Sequence, residues 1–186
     1  MRVVAGTYRG HPLKAPGGTQ TRPTSDRVRE AIFSILGDSV TQARVLDLFA
    51  GSGALGIEAL SRGAAHVTFV DSAQSAISTI KANLEALGAR NLRFETGSQA
   101  QVLRMQALRA LACTPVASHQ YDLVFIDPPY SMASALGPKL SIALPAILAP
   151  GASVVTESDR RSPQALELPL RLERRYGDTL IRIHDA

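Results

Sequence analysis

The residue types most capable of chemistry in this sequence meet at one corner, Asp127-Pro128-Pro129-Tyr130. An apolar run over residues 123–126 precedes it and predicts a buried strand that ends at the Asp127 carboxylate. Open α/β sheets place their functional groups at the carboxyl ends of strands. A proline has no N–H and keeps the residue before it extended. Asp127 and Pro128 should therefore offer oxygen acceptors with few competing donors.

Such a corner suits the exocyclic amine of a nucleobase, which is a weak nucleophile because its lone pair is delocalised into the ring. A carboxylate and a backbone carbonyl that both accept from this amine can aim the lone pair at an electrophile. Tyr130 would supply a flat surface on which the base stacks. We therefore interpret Asp127, Pro128 and Tyr130 as catalytic residues, with Pro129 beside the substrate.

A second motif, a glycine-rich turn, follows the first strand predicted for the core. Gly51, Gly53 and Gly56 match the dinucleotide-binding spacing, and Asp71 ends the next predicted strand about 20 residues later. A nicotinamide cofactor is therefore one interpretation of this motif. Asp47, expected at the lip of the turn, argues against it, because a carboxylate would repel a pyrophosphate.

S-adenosylmethionine fits these charges better, since it carries an ammonium and a sulfonium and has no phosphate. In this interpretation Asp47 lies near the methionine end and Asp71 accepts from both ribose hydroxyls. The glycines allow the backbone to approach the ligand closely. Ser98 or Gln99, at the next predicted strand-to-helix corner, would contact the adenine.

These residues need a sheet that brings strand ends together, and the apolar patterns alternate as such a fold requires. Strands are predicted over residues 44–49, 66–71, 92–96, 121–127 and 152–156. Helices are predicted over residues 53–62, 73–87, 98–112 and roughly 134–148. Residues 170–176 and 179–184 predict a closing antiparallel hairpin. The fold class is α/β, a doubly wound, mostly parallel, seven-stranded Rossmann-like sheet.

The N-terminal part has its own pattern and charge. A small hairpin is predicted before Pro16 and a helix from Ser25 to Gly37, so we divide the chain into an extension, 1–40, and a catalytic domain, 41–186. Residues 1–29 hold six basic side chains against Asp26 alone, a charge of +5 within the chain's total of +4. A basic segment on an otherwise near-neutral domain predicts contact with a phosphate backbone.

Composition excludes several other classes. The chain of 186 residues has one cysteine, Cys113, so an internal disulfide is excluded. Its four histidines show no metal-ligand spacing, and we expect no metal site. No apolar run is long enough to span a bilayer, and no signal peptide is evident. We expect a soluble cytoplasmic monomer.

Three blocks together resemble the bacterial RsmD family. They are the run from Arg22 to Phe33, which begins Arg22-Pro23-Thr24-Ser25-Asp26-Arg27, the run from Leu46 through the glycine turn to Ala64, and Asp127-Pro128-Pro129-Tyr130. The resemblance implies S-adenosylmethionine-dependent methylation of the N2 amine of one guanine in small-subunit (16S) ribosomal RNA, within an assembling subunit. It further implies roles for particular residues. Cofactor contacts fall on Asp47, Phe49, Gly51, Gly53 and Asp71, and RNA contacts on Tyr8, Arg9, Arg22 and Thr24. Arg27 and Arg29, basic residues of the predicted helix in the N-terminal segment, are further expected RNA contacts.

Two alternatives stay open at this level. An N6-adenine methyltransferase acting on DNA or RNA shares the Asp-Pro-Pro-Tyr corner, but only the N-terminal segment and a predicted loop over residues 130–138 could recognise its target. A ribosome-assembly factor with a vestigial cofactor pocket is the second alternative. A glutamine methyltransferase fits less well, because that class usually has Asn in place of Asp127.

Overall fold

A computed structural model describes residues 1–17, 25–88 and 99–186, apart from the side chains of Tyr130 and Ser131. It contains a seven-stranded sheet in the order β3-β2-β1-β4-β5-β7-β6. Strands β1 to β5 run parallel, and β7 pairs antiparallel with both β5 and β6. The predicted fold class is confirmed. The strands are β1 Arg44–Leu48, β2 His66–Asp71, β3 Gln99–Arg104, β4 Tyr121–Ile126, β5 Leu148–Asp159, β6 Leu170–Tyr176 and β7 Thr179–Asp185.

Helices cover both faces of the sheet, as parallel strands require. The N-terminal helix begins where the Ser25 hydroxyl accepts from the Val28 N–H at 3.2 Å, and it ends at Gly37, whose φ is 54°. None of the helices in the described part of the chain is long and apolar enough to cross a membrane. The helices are α1 Asp26–Leu36, α2 Ala54–Ser61, α3 Gln74–Ala86, α4 Ala107–Leu111, α5 Thr114–Ala117 and α6 Tyr130–Ala143, with 3-10 turns at Gly37–Val40 and Leu144–Ile147.

Two hydrophobic clusters form the core, one on each face of the sheet. Val45 of β1 belongs to the first cluster and Leu46 to the second, because successive side chains of a strand point to opposite faces. The first cluster holds α1, α2 and α3, and the second holds α4, α5 and α6. Val3 and Leu13 are buried in the first cluster, so the N-terminal segment shares the core of the sheet.

The N-terminal segment folds back on itself along α2. Its predicted hairpin is reduced to one antiparallel bridge, between Arg2 and Pro12. The N–H groups of Val4 and Ala5 donate to the Glu58 carboxylate at 2.7 and 2.9 Å. The turn then meets the last residue of α2, where a Cβ on Gly6 would lie 1.9 Å from the Ser61 carbonyl oxygen. Only glycine fits this contact.

Two predicted elements are wrong. The helix predicted over residues 98–112 begins only at Ala107, because Gln99–Arg104 form strand β3. This strand lies at the sheet edge and is only partly buried, so it lacks the continuous apolar run of β4. The loop predicted over residues 130–138 is helical and forms the first part of α6. The strand predicted over residues 92–96 lies outside the described residues.

Candidate active site

A cavity of about 870 Å³ opens at the carboxyl ends of four neighbouring strands. Its walls come from the segments that follow β1, β2, β3 and β4, where a parallel sheet keeps its functional groups. Residues before α1 and along α6 complete the wall. The residues that line the cavity are Pro16, Gly17, Phe49, Gly51, Val70, Asp71, Ser72, Ala73, Ser75, Ala76, Met105, Gln106, Ala107, Leu108, Asp127, Pro128, Pro129, Met132, Leu136 and Lys139.

The turn after β1 is built from residues with positive φ. Phe49 has φ 64°, Gly51 55° and Gly53 79°, and the Gly53 N–H donates to the Ala50 carbonyl at 2.6 Å. A positive φ is sterically unfavourable for Phe49, which has a Cβ, but not for glycine. Phe49 and Gly51 face the cavity, whereas Gly53 caps α2 and lies outside the cavity lining. The turn thus presents one aromatic ring and exposed backbone to a ligand.

Asp71 supports this turn and also faces the cavity. Its Oδ2 accepts from the Gly51 N–H at 2.9 Å, and its Oδ1 accepts from the Ala73 N–H at 2.8 Å. Each carboxylate oxygen has a further lone pair with which to accept from a ligand hydroxyl. The same side chain can therefore fix the shape of the glycine turn and hold a diol.

Asp47 does not stand at the lip of the turn, and that prediction is wrong. Its side chain is buried under α2, where Oδ2 accepts from the Gly56 N–H at 2.9 Å. Burial raises the pKa of the Asp47 carboxyl from 3.8 to about 7; the Gly56 hydrogen bond lowers this pKa and the nearby Asp71 charge raises it. Asp47 is absent from the cavity lining, so it anchors α2 to β1 instead of facing a ligand.

Gly56, the last glycine of the motif, is needed for packing between α2 and the sheet. A Cβ there would lie 2.3 Å from Cε1 of Phe69, a residue of β2. Because α2 approaches the sheet this closely, glycine is required for packing at this position. The three glycines of the predicted dinucleotide motif thus have different roles. Gly51 lines the cavity, whereas Gly53 and Gly56 position α2.

Asp127 lies where β4 ends, as the sequence predicts. It is half-buried and shares the cavity wall with buried Pro128 and exposed Pro129. Strand β4 is the neighbour of β1, so this corner lies beside the glycine turn. Tyr130 begins α6, and its side chain lies outside the described residues. The structure thus brings the Asp127 corner and Asp71 into one cavity.

The predicted adenine contact at Gln99 is wrong. Gln99 starts β3 and pairs with His66, the first residue of β2, so it lies at the amino edge of the sheet. The cavity is at the opposite edge. Ser98 lies outside the described residues. Met105 and Gln106, which directly follow β3, occupy the place predicted for Gln99.

The predicted RNA contacts on the N-terminal turn lie far from the cavity. The Tyr8 N–H donates to the Ser61 hydroxyl at 3.0 Å, at the end of α2. Because α2 starts at the glycine turn and runs for eight residues, this end is about 12 Å from the glycine turn. Arg9 is exposed on the same turn. Arg22 and Thr24 lie outside the described residues.

Arg27 and Arg29 have different environments on α1. Arg27 is exposed, whereas the Arg29 side chain is 0% exposed. The Arg29 guanidinium pairs with Asp26 at 2.8 Å and with Glu58 at 3.6 Å, and it donates to the Arg2 carbonyl oxygen. The prediction that Arg29 contacts RNA is wrong, because this group holds α1, α2 and the N-terminal segment together.

The cavity also includes residues that belong to none of the sequence motifs. Pro16 and Gly17 precede α1, and Met132, Leu136 and Lys139 line one side of α6. The last three are spaced by four and three residues, so they lie on one face of α6. This spacing would have predicted a shared face if residues 130–138 had been recognised as helical. Among the described residues, no three His, Cys, Asp or Glu side chains gather as metal ligands.

Comparison with known proteins places the chain in a family. Residues 1–185 match the family model described as conserved hypothetical protein 95. YlbH of Bacillus subtilis is 48% identical over 130 residues, which cover 70% of this chain and 67% of that protein. Ribosomal RNA small subunit methyltransferase D of Haemophilus influenzae is 38% identical over 130 residues, 70% of this chain and 64% of that protein. The aligned part thus spans 64 to 67% of the length of these curated relatives.

Solved structures agree with this placement. The yhhF protein of Escherichia coli matches with a TM-score of 0.80 at 32% identity, over 100% of this chain and 97% of that one. An RNA methyltransferase from Salinibacter ruber, in complex with S-adenosyl-L-homocysteine, matches with a TM-score of 0.64 at 15% identity, over 88% and 93% of the two chains. The second likeness concerns the fold alone. By its match to the family model and its identity to these relatives, the chain belongs to the conserved hypothetical protein 95 family, which is the RsmD family.

Proposed function

We propose that this protein transfers a methyl group from S-adenosyl-L-methionine to the N2 amine of one guanine in small-subunit (16S) ribosomal RNA. The observation that carries the proposal is the shared cavity of Asp71 and Asp127, which joins a cofactor-type turn to an amine-holding corner. The names of the curated relatives support ribosomal RNA as the substrate. The base and the atom are inferred from the family resemblance and the Asp127 corner.

The cavity suits S-adenosylmethionine by size and charge. Its volume of about 870 Å³ leaves space for a nucleobase beside the cofactor. Among the described residues, the charged side chains of the lining are Asp71, Asp127 and Lys139, and this acidic balance favours a cationic ligand over a pyrophosphate. Bound there, S-adenosylmethionine supplies an activated methyl group on its sulfonium.

Particular residues are assigned to hold this cofactor. Asp71 accepts hydrogen bonds from the ribose hydroxyls. Phe49 and Gly51 contact the ligand along the glycine turn. Met105 and Leu108 give the adenine an apolar wall, and the polar Gln106 side chain lies beside it. The relative named as a ribosomal RNA small subunit methyltransferase, at 38% identity, supports the choice of a methyl-donating cofactor.

Asp127 and the Pro128 carbonyl hold the amine of the target base. Both accept from its two N–H groups, which orients the nitrogen lone pair toward the methyl donor. The nitrogen becomes acidic only as the new bond forms, and its proton leaves at that stage, so Asp127 need not remove a proton beforehand. Tyr130 provides the stacking surface for the base. No covalent intermediate between enzyme and substrate is required.

The wider role follows from charge and family. We assign residues 1–40 to an RNA-contacting extension and residues 41–186 to the methyltransferase domain. The substrate is RNA within an assembling small subunit, and the enzyme acts in the cytoplasm as a monomer. Arg27 and the segment that contains Arg22 and Thr24 contact the RNA backbone.

The test is methyl transfer from labelled S-adenosylmethionine to small ribosomal subunits from cells that lack the enzyme, followed by nucleoside analysis. N2-methylguanosine at one site is the expected product. Asp127→Ala should abolish transfer while cofactor binding persists, and Asp38→Ala, an exposed carboxylate outside the cavity lining, is the matched control.

Other products would redirect the assignment. Label on adenine would place the protein among N6-adenine methyltransferases. No label on RNA, with cofactor binding intact, would favour the ribosome-assembly factor. Near-normal transfer by Asp127→Ala would remove Asp127 from the catalytic role.

A further inference from the structure

The end of β5 projects above the cavity edge beside Asp127. In the register of β4 and β5, Ile126 pairs with Thr156, and β5 continues for three more residues to Asp159. At roughly 3.3 Å per residue, this extension rises about 10 Å above the last pair. Strand β7 starts at the same level, since Asp159 pairs with Thr179. This projection forms a wall beside the Asp127 corner, on the side of β4 away from the glycine turn, and its residues lie outside the cavity lining.

Two arginines, Arg160 and Arg161, stand at the top of this wall. Both are exposed, and among the described residues neither guanidinium has a hydrogen-bond or ion-pair partner. Their backbone is fixed, because the Arg160 N–H donates to the Asp178 carbonyl at 2.8 Å and the Arg161 N–H to Asp159 Oδ1 at 2.7 Å. We call them the β5 arginine pair. Their charges are available on an ordered turn.

The neighbouring acidic groups do not cancel this charge by pairing with it. Glu173 pairs with Arg182 at 2.9 Å and with Arg175 at 3.0 Å, both on the hairpin of β6 and β7. Asp159 accepts from the backbone of the turn. Asp178, exposed on the neighbouring turn, meets Arg160 through its backbone carbonyl, so the guanidinium groups of the β5 arginine pair keep their charges unpaired among the described residues.

This wall lies on one of the two routes by which an RNA strand can leave the Asp127 corner. Asp127 follows β4, and β5 is the next strand on the side away from the glycine turn. The nucleotides next to the target therefore leave the cavity toward β5 or toward the N-terminal segment. Guanidinium groups bind phosphates through two parallel hydrogen bonds, which suits them to this position.

We propose that the β5 arginine pair is a second RNA-contact surface, which binds the phosphates next to the target guanine. This inference rests on the proposed function, and it adds a contact outside the basic N-terminal segment. The RNA is then held on both sides of the cavity. The sequence conceals this surface, because residues 30–186 carry a net charge close to zero.

The test compares two variants with the same loss of charge, Arg160→Gln/Arg161→Gln and Lys81→Gln/Arg109→Gln. The control residues are exposed on α3 and α4. Binding of small-subunit RNA is measured over a series of salt concentrations, together with methyl transfer and cofactor binding. Arg160→Lys/Arg161→Lys tests whether charge alone suffices.

We expect the β5 arginine variant to bind RNA at least about fivefold more weakly and to lose about 1.4 to 1.8 from the slope of log K against log salt. Its cofactor binding should equal that of the wild type, and the lysine variant should recover most of the salt slope. RNA binding and slope equal to the control would overturn the proposal. If the wild type binds RNA without methylating it, the proposed function fails, and the same comparison of slopes still decides the role of the pair.

Discussion

The side-chain amide of Asn83 forms two hydrogen bonds with the backbone of Lys14. The Lys14 N–H donates to Oδ1 at 2.9 Å, and Nδ2 donates to the Lys14 carbonyl at 3.0 Å. Nδ2 also donates to the Ser52 carbonyl, inside the glycine turn, at 2.9 Å. One buried residue of α3 thus joins the cofactor turn to the chain just before Pro16 and Gly17, which line the cavity.

Replacement of Asn83 should loosen this junction. Asn83→Ala removes three hydrogen bonds and leaves their backbone partners unpaired, so we expect the free energy of unfolding to fall by about 2 to 3 kcal/mol. Denaturant unfolding measures this loss. Gln74→Ala, an exposed amide at the start of the same helix, should change stability by less than about 0.5 kcal/mol. Equal effects of the two changes would contradict the role of Asn83.

Substitution of the two arginines of α1 should affect different properties, stability for Arg29 and RNA binding for Arg27. Arg29→Met leaves the buried Glu58 carboxylate without one of its cationic partners, so the free energy of unfolding should fall by about 3 kcal/mol. Arg27→Met should leave stability almost unchanged and weaken RNA binding instead. Thermal unfolding and RNA titration separate the two effects. A stable Arg29→Met protein with weakened RNA binding would restore Arg29 as an RNA contact.

Asp71 should control cofactor affinity. Asp71→Asn removes the charge and replaces one accepting oxygen by an amide donor, which affects both the Gly51 contact and a ribose hydroxyl. Hydrogen bonds to charged groups contribute about 1.5 to 3 kcal/mol, so the Kd for S-adenosylmethionine should rise about ten- to hundredfold. Calorimetric titration measures this Kd, with Asp38→Asn, at an exposed carboxylate outside the cavity lining, as the matched control. A Kd within about twofold of the wild type would remove Asp71 from the cofactor site.

Asp47 should make stability depend on pH. Because burial raises its pKa from 3.8 to about 7 in the folded protein, the folded state binds more protons than the unfolded state between these values. Its contribution is fully present below about pH 3.8 and is lost as the pH rises to about 7. The loss is on the order of 4 kcal/mol, and above pH 7 it becomes constant.

Asp47→Asn tests this linkage. The amide oxygen can still accept from the Gly56 N–H, and no charge has to be buried. The variant should therefore be more stable than the wild type at pH 8, and the difference should shrink toward pH 4. Unfolding in denaturant across this range gives the difference curve. A difference that does not change with pH would show that Asp47 does not titrate as described.

Gln164 should be replaceable with a gain in stability. Its side chain is 0% exposed, and within the described part of the chain neither amide atom has a hydrogen-bond partner. Gln164→Met keeps a similar shape and removes the unpaired polar group, so the free energy of unfolding should rise by about 1 kcal/mol. Gln164→Glu should lower it. If Gln164→Met proved destabilising, the amide would have a partner that the present contacts do not show.

Much of the site could be predicted because strand ends are marked by local sequence. The apolar run over residues 123–126 stops at Asp127, and the apolar run in β2 stops at Asp71. Because parallel strands end at the same edge of a sheet, a parallel sheet places both carboxylates at that edge. Strand β3 shows the limit of this reasoning. It is an edge strand with few buried residues, so its apolar pattern is weak. A helix was therefore predicted over these residues, and Gln99 was placed at the wrong edge of the sheet.

The alternation of strands and helices, the family and the acids at the carboxyl edge can all be read from the sequence, because they depend on local apolar runs and short motifs. Which charged groups face the ligand depends on the folded chain. Asp47 and Arg29 are as polar in sequence as Asp71 and Arg27, yet α2 and the N-terminal segment bury them in hydrogen bonds and ion pairs. Burial depends on contacts between residues distant in the chain, such as Arg29 with Glu58, which local spacing does not encode.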